Sequence, residues 1–126
     1  MKVSVDFDNT LTRIDVQKFV QKLKDEHIDV YIVTSRFTEE SAKKANWHWL
    51  DNKDIFGIAE KLKIPKDKII FTEMKDKIEY LENNDFIFHL DDDEYEIDLI
   101  ENSDDSCRGV LVKDKNWLEI CKKLIL

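Results

Sequence analysis

Apolar residues fall in two rhythms along this chain. Short runs that are alternating or unbroken occur at Val3, Val5 and Phe7, and again over 30–33, 69–71, 86–90 and 110–112. Between them lie longer stretches in which apolar residues recur every three or four positions, as at Val16, Phe19, Val20 and Leu23. The first rhythm is that of β-strands and the second that of helices packed on one face. The pattern predicts strands at 2–6, 30–33, 69–71, 86–90 and 110–112, and helices at 15–26, near 77–83 and at 115–125. Thr38-Glu39-Glu40 reads as a cap followed by first-turn acids, so one or two helices run from there to about Lys63, where Ile64-Pro65 ends them.

Strands that alternate with helices imply a parallel sheet covered on both faces. The strands are apolar throughout rather than every second residue, as doubly covered strands are. The expected fold is α/β: a three-layer α/β/α sandwich, Rossmann-like, with a five-stranded parallel sheet. In such sheets ligands bind beyond the strand C-terminal ends, where the strand order reverses.

Bulk properties narrow the field. With 126 residues, 42% of them hydrophobic, and with two Gly and one Pro, the chain is expected to be one domain over 1–126, without linkers. A net charge of -8 disfavours a nonspecific nucleic-acid binder, although it leaves room for a local basic pocket. The apolar runs are of strand length and no signal-peptide pattern opens the chain, so no membrane span and a cytoplasmic location are expected. Cys107 and Cys121 lack disulfide-framework or metal spacing, and Cys121 falls on the core face of the last helix.

Chemistry-bearing residues follow the strands. Asp6, Asp8 and Thr10 follow the first, Thr34, Ser35 and Arg36 the second, Lys75 and Lys77 the third, and Asp91, Asp92 and Asp93 the fourth. All fall at one edge of the expected sheet. Asp6 and Asp8 would point to opposite faces of a straight strand, so they converge only if the chain turns after Asp6. That turn would place a carboxylate and a backbone carbonyl beside one point, an arrangement suited to a hard cation.

This constellation resembles the haloacid dehalogenase-like superfamily, most of whose members are phosphohydrolases. Asp6, Asp8 and Thr10 match its DxDxT motif, and Thr34 matches the Thr or Ser that ends strand two. Lys77 or Lys75 matches the lone lysine, with Lys77 preferred because it heads the helical pattern before strand four. Asp91, Asp92 and Glu96 match DDxxxD with Glu in the last place; a register shifted by one would use Asp92, Asp93 and Asp98. The likeness covers residues 2 to about 98. It implies a Mg²⁺-dependent phosphatase in which Asp6 attacks phosphorus and Asp8 serves as acid and base, its pKa raised by neighbouring carboxylates. It further implies a metal held by the Asp6 carboxylate, the Asp8 carbonyl and Asp92, with Asp91 or Glu96 on a metal-bound water. Thr34 would donate to the phosphoryl group, and Lys77 would offset the clustered charge, with Ser35 and Arg36 also facing substrate.

The segments where this family inserts cap domains are too short here to hold one. The resemblance is therefore to small capless members, which act on phosphorylated macromolecules (phosphoproteins, nucleic-acid ends) or close their site with a partner subunit; the net charge argues against nucleic-acid ends. A receiver-type signalling module would need an acid after strand three, where Ile70-Phe71-Thr72 stands. The alternative left is a catalytically weak member kept for phospho-binding or regulation. His89 reads as a buried strand residue rather than a ligand. Trp47 and Trp49 are placed on a helix, one packing inward, with core packing and substrate contact both open.

Overall fold

The computed structural model describes residues 1–126, as a five-stranded sheet of order β3-β2-β1-β4-β5 in which every pair of neighbours is parallel. The strands are β1 (Lys2–Val5), β2 (Asp29–Thr34), β3 (Ile69–Phe71), β4 (Phe86–Asp91) and β5 (Arg108–Leu111). The helices are α1 (Ile14–Asp25), α2 (Glu39–Lys44), α3 (Lys53–Lys61), α4 (Ile78–Leu81), α5 (Glu94–Glu101) and α6 (Trp117–Ile125). This is the expected three-layer sandwich, and no strand connection carries a second domain. No helix is long and apolar enough to cross a membrane.

The apolar rhythm accounts for the layers. Val16, Phe19, Val20 and Leu23 of α1 are buried at i, i+3, i+4 and i+7, the stripe one helix face presents. They join Val3, Val5, Ile32, Phe88 and Leu90 of the sheet and Trp117 and Cys121 of α6 in one core of 22 residues. Val33, Leu81, Phe86, Ile100 and Cys107 form a smaller core that includes residues of α4 and α5. Both cysteines are free and buried.

One connection departs from the expectation. Residues 45–52, which carry Trp47 and Trp49, are not helical. Asn46 adopts a left-handed conformation (φ 59°), its N–H bonds the Lys43 carbonyl, and the Trp47 N–H returns to the Ala42 carbonyl at 2.8 Å. These two bonds close α2 before the tryptophans. His27 and Lys63 end α1 and α3 in the same way, with left-handed residues other than glycine. The last strand also starts two residues and ends one residue earlier than expected, because β5 pairs Arg108 with Phe88 and Leu111 with Asp91.

The order of the strands places the switch point between β1 and β4. From β1 the chain adds β2 and β3 on one side, then crosses to β4 on the other. The C-terminal ends of β1 and β4 are thus adjacent and open a crevice between diverging connections.

Candidate active site

Asp6 remains paired to the sheet through its N–H, which bonds the Leu90 carbonyl at 2.8 Å. The chain then makes one wide turn, in which the Leu11 N–H returns to the Asp6 carbonyl at 3.1 Å and the Thr12 N–H to that of Phe7 at 3.3 Å. Asn9 takes a left-handed φ of 59°, which Asn tolerates better than most residues. The turn brings Asp6 and Asp8 to the same cleft. Thr10 is buried inside it, and its hydroxyl lies 3.4 Å from Asp6 Oδ2.

Of the two candidate lysines, Lys77 enters the cluster. It is 3% exposed, and its Nζ lies 2.8 Å from Asp6 Oδ1 and 2.7 Å from Asp91 Oδ2. Lys75 is exposed. The position of Lys77 at the head of α4 is fixed from behind, because its backbone N–H donates to Glu96 Oε2 at 3.0 Å. Glu96, expected beside a metal-bound water, is placed differently: it holds Lys77 and does not line the cleft.

At the end of β4, Asp91 is wholly buried and Asp92 half-buried. Asp93 caps α5 by accepting from the Tyr95 N–H, and Asp98 is exposed. The acids facing Asp6 are therefore Asp91 and Asp92. Carboxylate oxygens of Asp6, Asp91 and Asp92 lie within 4.8 Å of one another.

Behind Asp91 stands a polar pair: His89, expected as a buried strand residue, and Ser4, which carried no expectation. His89 and Ser4 are opposite each other in the β1–β4 register, and Ser4 Oγ is 2.7 Å from His89 Nδ1. His89 and Asp91 are two apart on one strand, so they share a face, and His89 Nε2 is 2.7 Å from Asp91 Oδ2. A carboxylate only accepts, so Nε2 carries the proton and Nδ1 accepts from Ser4. All three residues have no exposed surface. The readable signal was a serine and a histidine in otherwise apolar strands, on a path that ends at a site acid.

Three departures concern the second strand. Thr34 is buried, accepts from the Arg36 N–H at 3.3 Å and does not line the cleft, whereas Ser35 does. Asp8 was expected among carboxylates, but its neighbour is a guanidinium: Arg36 donates to both of its oxygens, at 2.6 and 3.0 Å. Arg36 also grips Asp54 of α3 at 2.7 and 2.8 Å and lies 5.2 Å from the centre of the Phe7 ring. Asp54 gave no signal in sequence, since it is one acid among many on a solvated helix start.

The cleft has a volume of about 430 Å³ and ten lining residues, none hydrophobic. Six are acids (Asp6, Asp8, Asp91, Asp92, Asp93 and Glu94) and two are lysines, Lys77 and Lys113 at the rim. Burial, then the charge of Asp91, pushes the Asp6 carboxyl up to about 8 against the pull of Lys77. Burial also acts to raise Asp91, but the hydrogen bond from His89, with the charge and hydrogen bond of Lys77, holds it below the usual carboxylate range. His89 is held below its ordinary value, by burial first. The cluster thus keeps its proton on Asp6 and its negative charge on Asp91.

A pH effect on stability follows. Because the folded value of Asp6 is raised from 3.8 to about 8, the folded protein holds a proton that the unfolded chain has lost. This contribution is whole below about pH 4 and is lost as pH rises towards about 8. His89, kept neutral, acts in the opposite sense as pH falls below 6.5, so the test is a difference. In chelator, the melting-temperature advantage of Asp6→Asn over the unsubstituted protein should widen across that window. A gap that stays constant with pH would contradict the proton on Asp6.

Oxygen-only donors gathered at one point, with no thiolate among them, fit a hard divalent cation such as Mg²⁺ rather than zinc or copper. No family model, curated protein or solved structure matches this chain.

Proposed function

We propose that this protein is a Mg²⁺-dependent phosphohydrolase of the haloacid dehalogenase-like kind, which cleaves phosphate monoesters through an aspartyl phosphate on Asp6. The observation that carries the reading is the buried Asp6–Lys77–Asp91 bridge beside Asp92, at the switch point of the sheet. Burying charges costs several kcal/mol per ion even when they are paired. A cleft this acidic is unfavourable for any anion unless a cation completes it.

Asp6, Asp92 and Asp91 offer carboxylate oxygens, and Asp8 a backbone carbonyl, to hold Mg²⁺. When bound, the ion supplies the positive charge that keeps Asp6 ionised and offsets the phosphoryl oxygens. Lys77 occupies Asp6 Oδ1, which leaves Oδ2 the freer oxygen to attack phosphorus. The Oδ2–P bond forms as the ester P–O bond breaks. Asp8 gives the leaving oxygen its proton and then takes one from the water that hydrolyses the acyl phosphate. To do so it has to leave the Arg36 clasp, and an arriving phosphoryl group offers Arg36 another anion. Ser35 lines the cleft, while Thr34 orders the turn that carries Ser35 and Arg36.

The test is phosphate release from a panel of phosphorylated metabolites, peptides and oligonucleotides with Mg²⁺ and with chelator. The reading requires Mg²⁺-dependent release. A second reading, a phospho-binding domain with little turnover, draws on the Arg36–Asp8 clasp and requires saturable binding of those compounds without release.

Metal binding has its own readout. Millimolar Mg²⁺ should raise the melting temperature by mass action. Asp92→Asn should raise it in chelator, by removing one repelling carboxylate, and should remove most of the Mg²⁺ response. A melting temperature indifferent to Mg²⁺, Mn²⁺ and Ca²⁺ would count against the metal site.

A further inference from the structure

Trp49 is the most exposed aromatic side chain of the protein, at 76%. Its loop is nonetheless firmly built. Trp47 packs edge-on against Phe37 with centroids 5.1 Å apart, and Trp49 leans on Trp47 at 6.2 Å. Asn52, 1% exposed, ties down the end of the loop: its N–H donates to Glu39 Oε1 at 3.1 Å and its side-chain amide to the Phe37 carbonyl at 3.0 Å.

Trp49 lines an open depression of about 620 Å³ together with Arg36, Leu50, Asp51, Asn52, Lys53 and Asp54. Arg36 lines this depression and ties it to the acidic cleft, because its guanidinium holds Asp8 of the cleft and Asp54 of the depression. The cleft has no apolar lining, so it suits the phosphoryl end of a substrate and offers nothing to an apolar leaving group. The depression that such a group can reach past Arg36 is the one that Trp49 also lines.

The polar groups there select among planar rings. Asp54 is taken by Arg36, and Asp51 Oδ1 accepts the Lys53 N–H. Lys53 and Lys43 have no ion-pair partner, and with His48 they border the tryptophan loop. The free groups are therefore the Lys53 and Lys43 ammonium donors and the second oxygen of Asp51, an acceptor, around a π-face. A sugar ring has no π-face to stack on the indole. A nucleobase presents a π-face together with an edge that both donates and accepts, through amino groups, ring nitrogens and carbonyls.

The geometry points to a base subsite on Trp49, and hence to nucleoside phosphates as the substrate class; this rests on the phosphohydrolase reading above. The base stacks on the indole, Lys53 meets its acceptors, and the phosphate lies in the cleft. The nucleotide is either free or the end of a strand.

The experiment compares kcat/KM for nucleoside 5′-monophosphates with that for ribose 5-phosphate, which lacks the base. The nucleotide should be preferred by about tenfold or more, the size of one stacking contact. Trp49→Ala should remove most of that preference through KM, and Trp49→Phe should restore part of it. A second measurement needs no turnover: nucleoside monophosphate with Mg²⁺ should quench tryptophan fluorescence saturably, ribose 5-phosphate should not, and Trp49→Ala should lose the effect. Equal turnover of both esters with no saturable quenching overturns the base subsite and leaves the phosphohydrolase standing. Quenching without any turnover supports the subsite and overturns the hydrolase. Phosphorylated oligonucleotides turned over better than mononucleotides would identify a strand end as the source, and the reverse ranking a free nucleotide; both support the subsite. A preference untouched by Trp49→Ala overturns it.

Discussion

Asp6→Asn should keep its fold and lose turnover by about three orders of magnitude or more, as expected when a covalent nucleophile is removed. The fold should survive because the amide matches the carboxyl in shape and because Asp6 is held largely protonated when no cation is bound. Asp6 also keeps its backbone bond to Leu90 whatever its side chain carries. A near-normal rate in this variant would mean that the nucleophile lies elsewhere. Asp8→Asn should lose most activity too, but for a different reason: the amide can neither give nor take the proton, and it also releases one anchor of Arg36.

The second large effect separates two lysines. Lys77→Ala should cut turnover roughly a hundredfold or more, the usual loss when one electrostatic stabiliser is removed. It leaves Asp6 and Asp91 facing each other without a counter-charge inside a buried site. That should also lower stability, by about 3–5 kcal/mol in the manner of a broken buried pair. Turnover is therefore to be measured well below the melting temperature, with millimolar Mg²⁺ present. Lys75→Ala, at an exposed position in the preceding loop, should change the rate only modestly. The reverse ranking would move the role to Lys75 and leave Lys77 a structural bridge.

The parts of this molecule that follow local rules were legible in the sequence. The first four strands appear where the apolar rhythm placed them, and the carboxylates of Asp6, Asp91 and Asp92 meet because the switch point of a parallel sheet gathers strand ends. Lys77 was preferred over Lys75 from its place at the head of the helical pattern, and it is the one that reaches the cluster. Pairings between distant residues were not legible. Nothing local to Arg36 says that it bridges Asp8 and Asp54, since that depends on how α3 lies against the first turn. The Ser4–His89–Asp91 chain needs the register of β1 on β4, including its irregularity between Lys2 and Ser4. The break at Asn46 was open to reading, because Asn readily takes the left-handed conformation that ends a helix. The apolar spacing around the tryptophans outweighed that signal. The displaced β5 has a similar origin: Arg108 and Gly109 lack apolar character, yet they pair because β5 is an edge strand whose backbone meets β4.

In the proposed mechanism Asp6 carries the phosphoryl group. Acid-quenching the protein during turnover of a phosphorylated substrate with Mg²⁺, followed by mapping of the phosphate by mass spectrometry, reads out that intermediate. An acid-stable, hydroxylamine-labile phosphate is expected on the peptide bearing Asp6, absent in chelator and absent from Asp6→Asn. Phosphate trapped on another residue, or steady Mg²⁺-dependent release that persists in Asp6→Asn with no acyl phosphate formed, would contradict it.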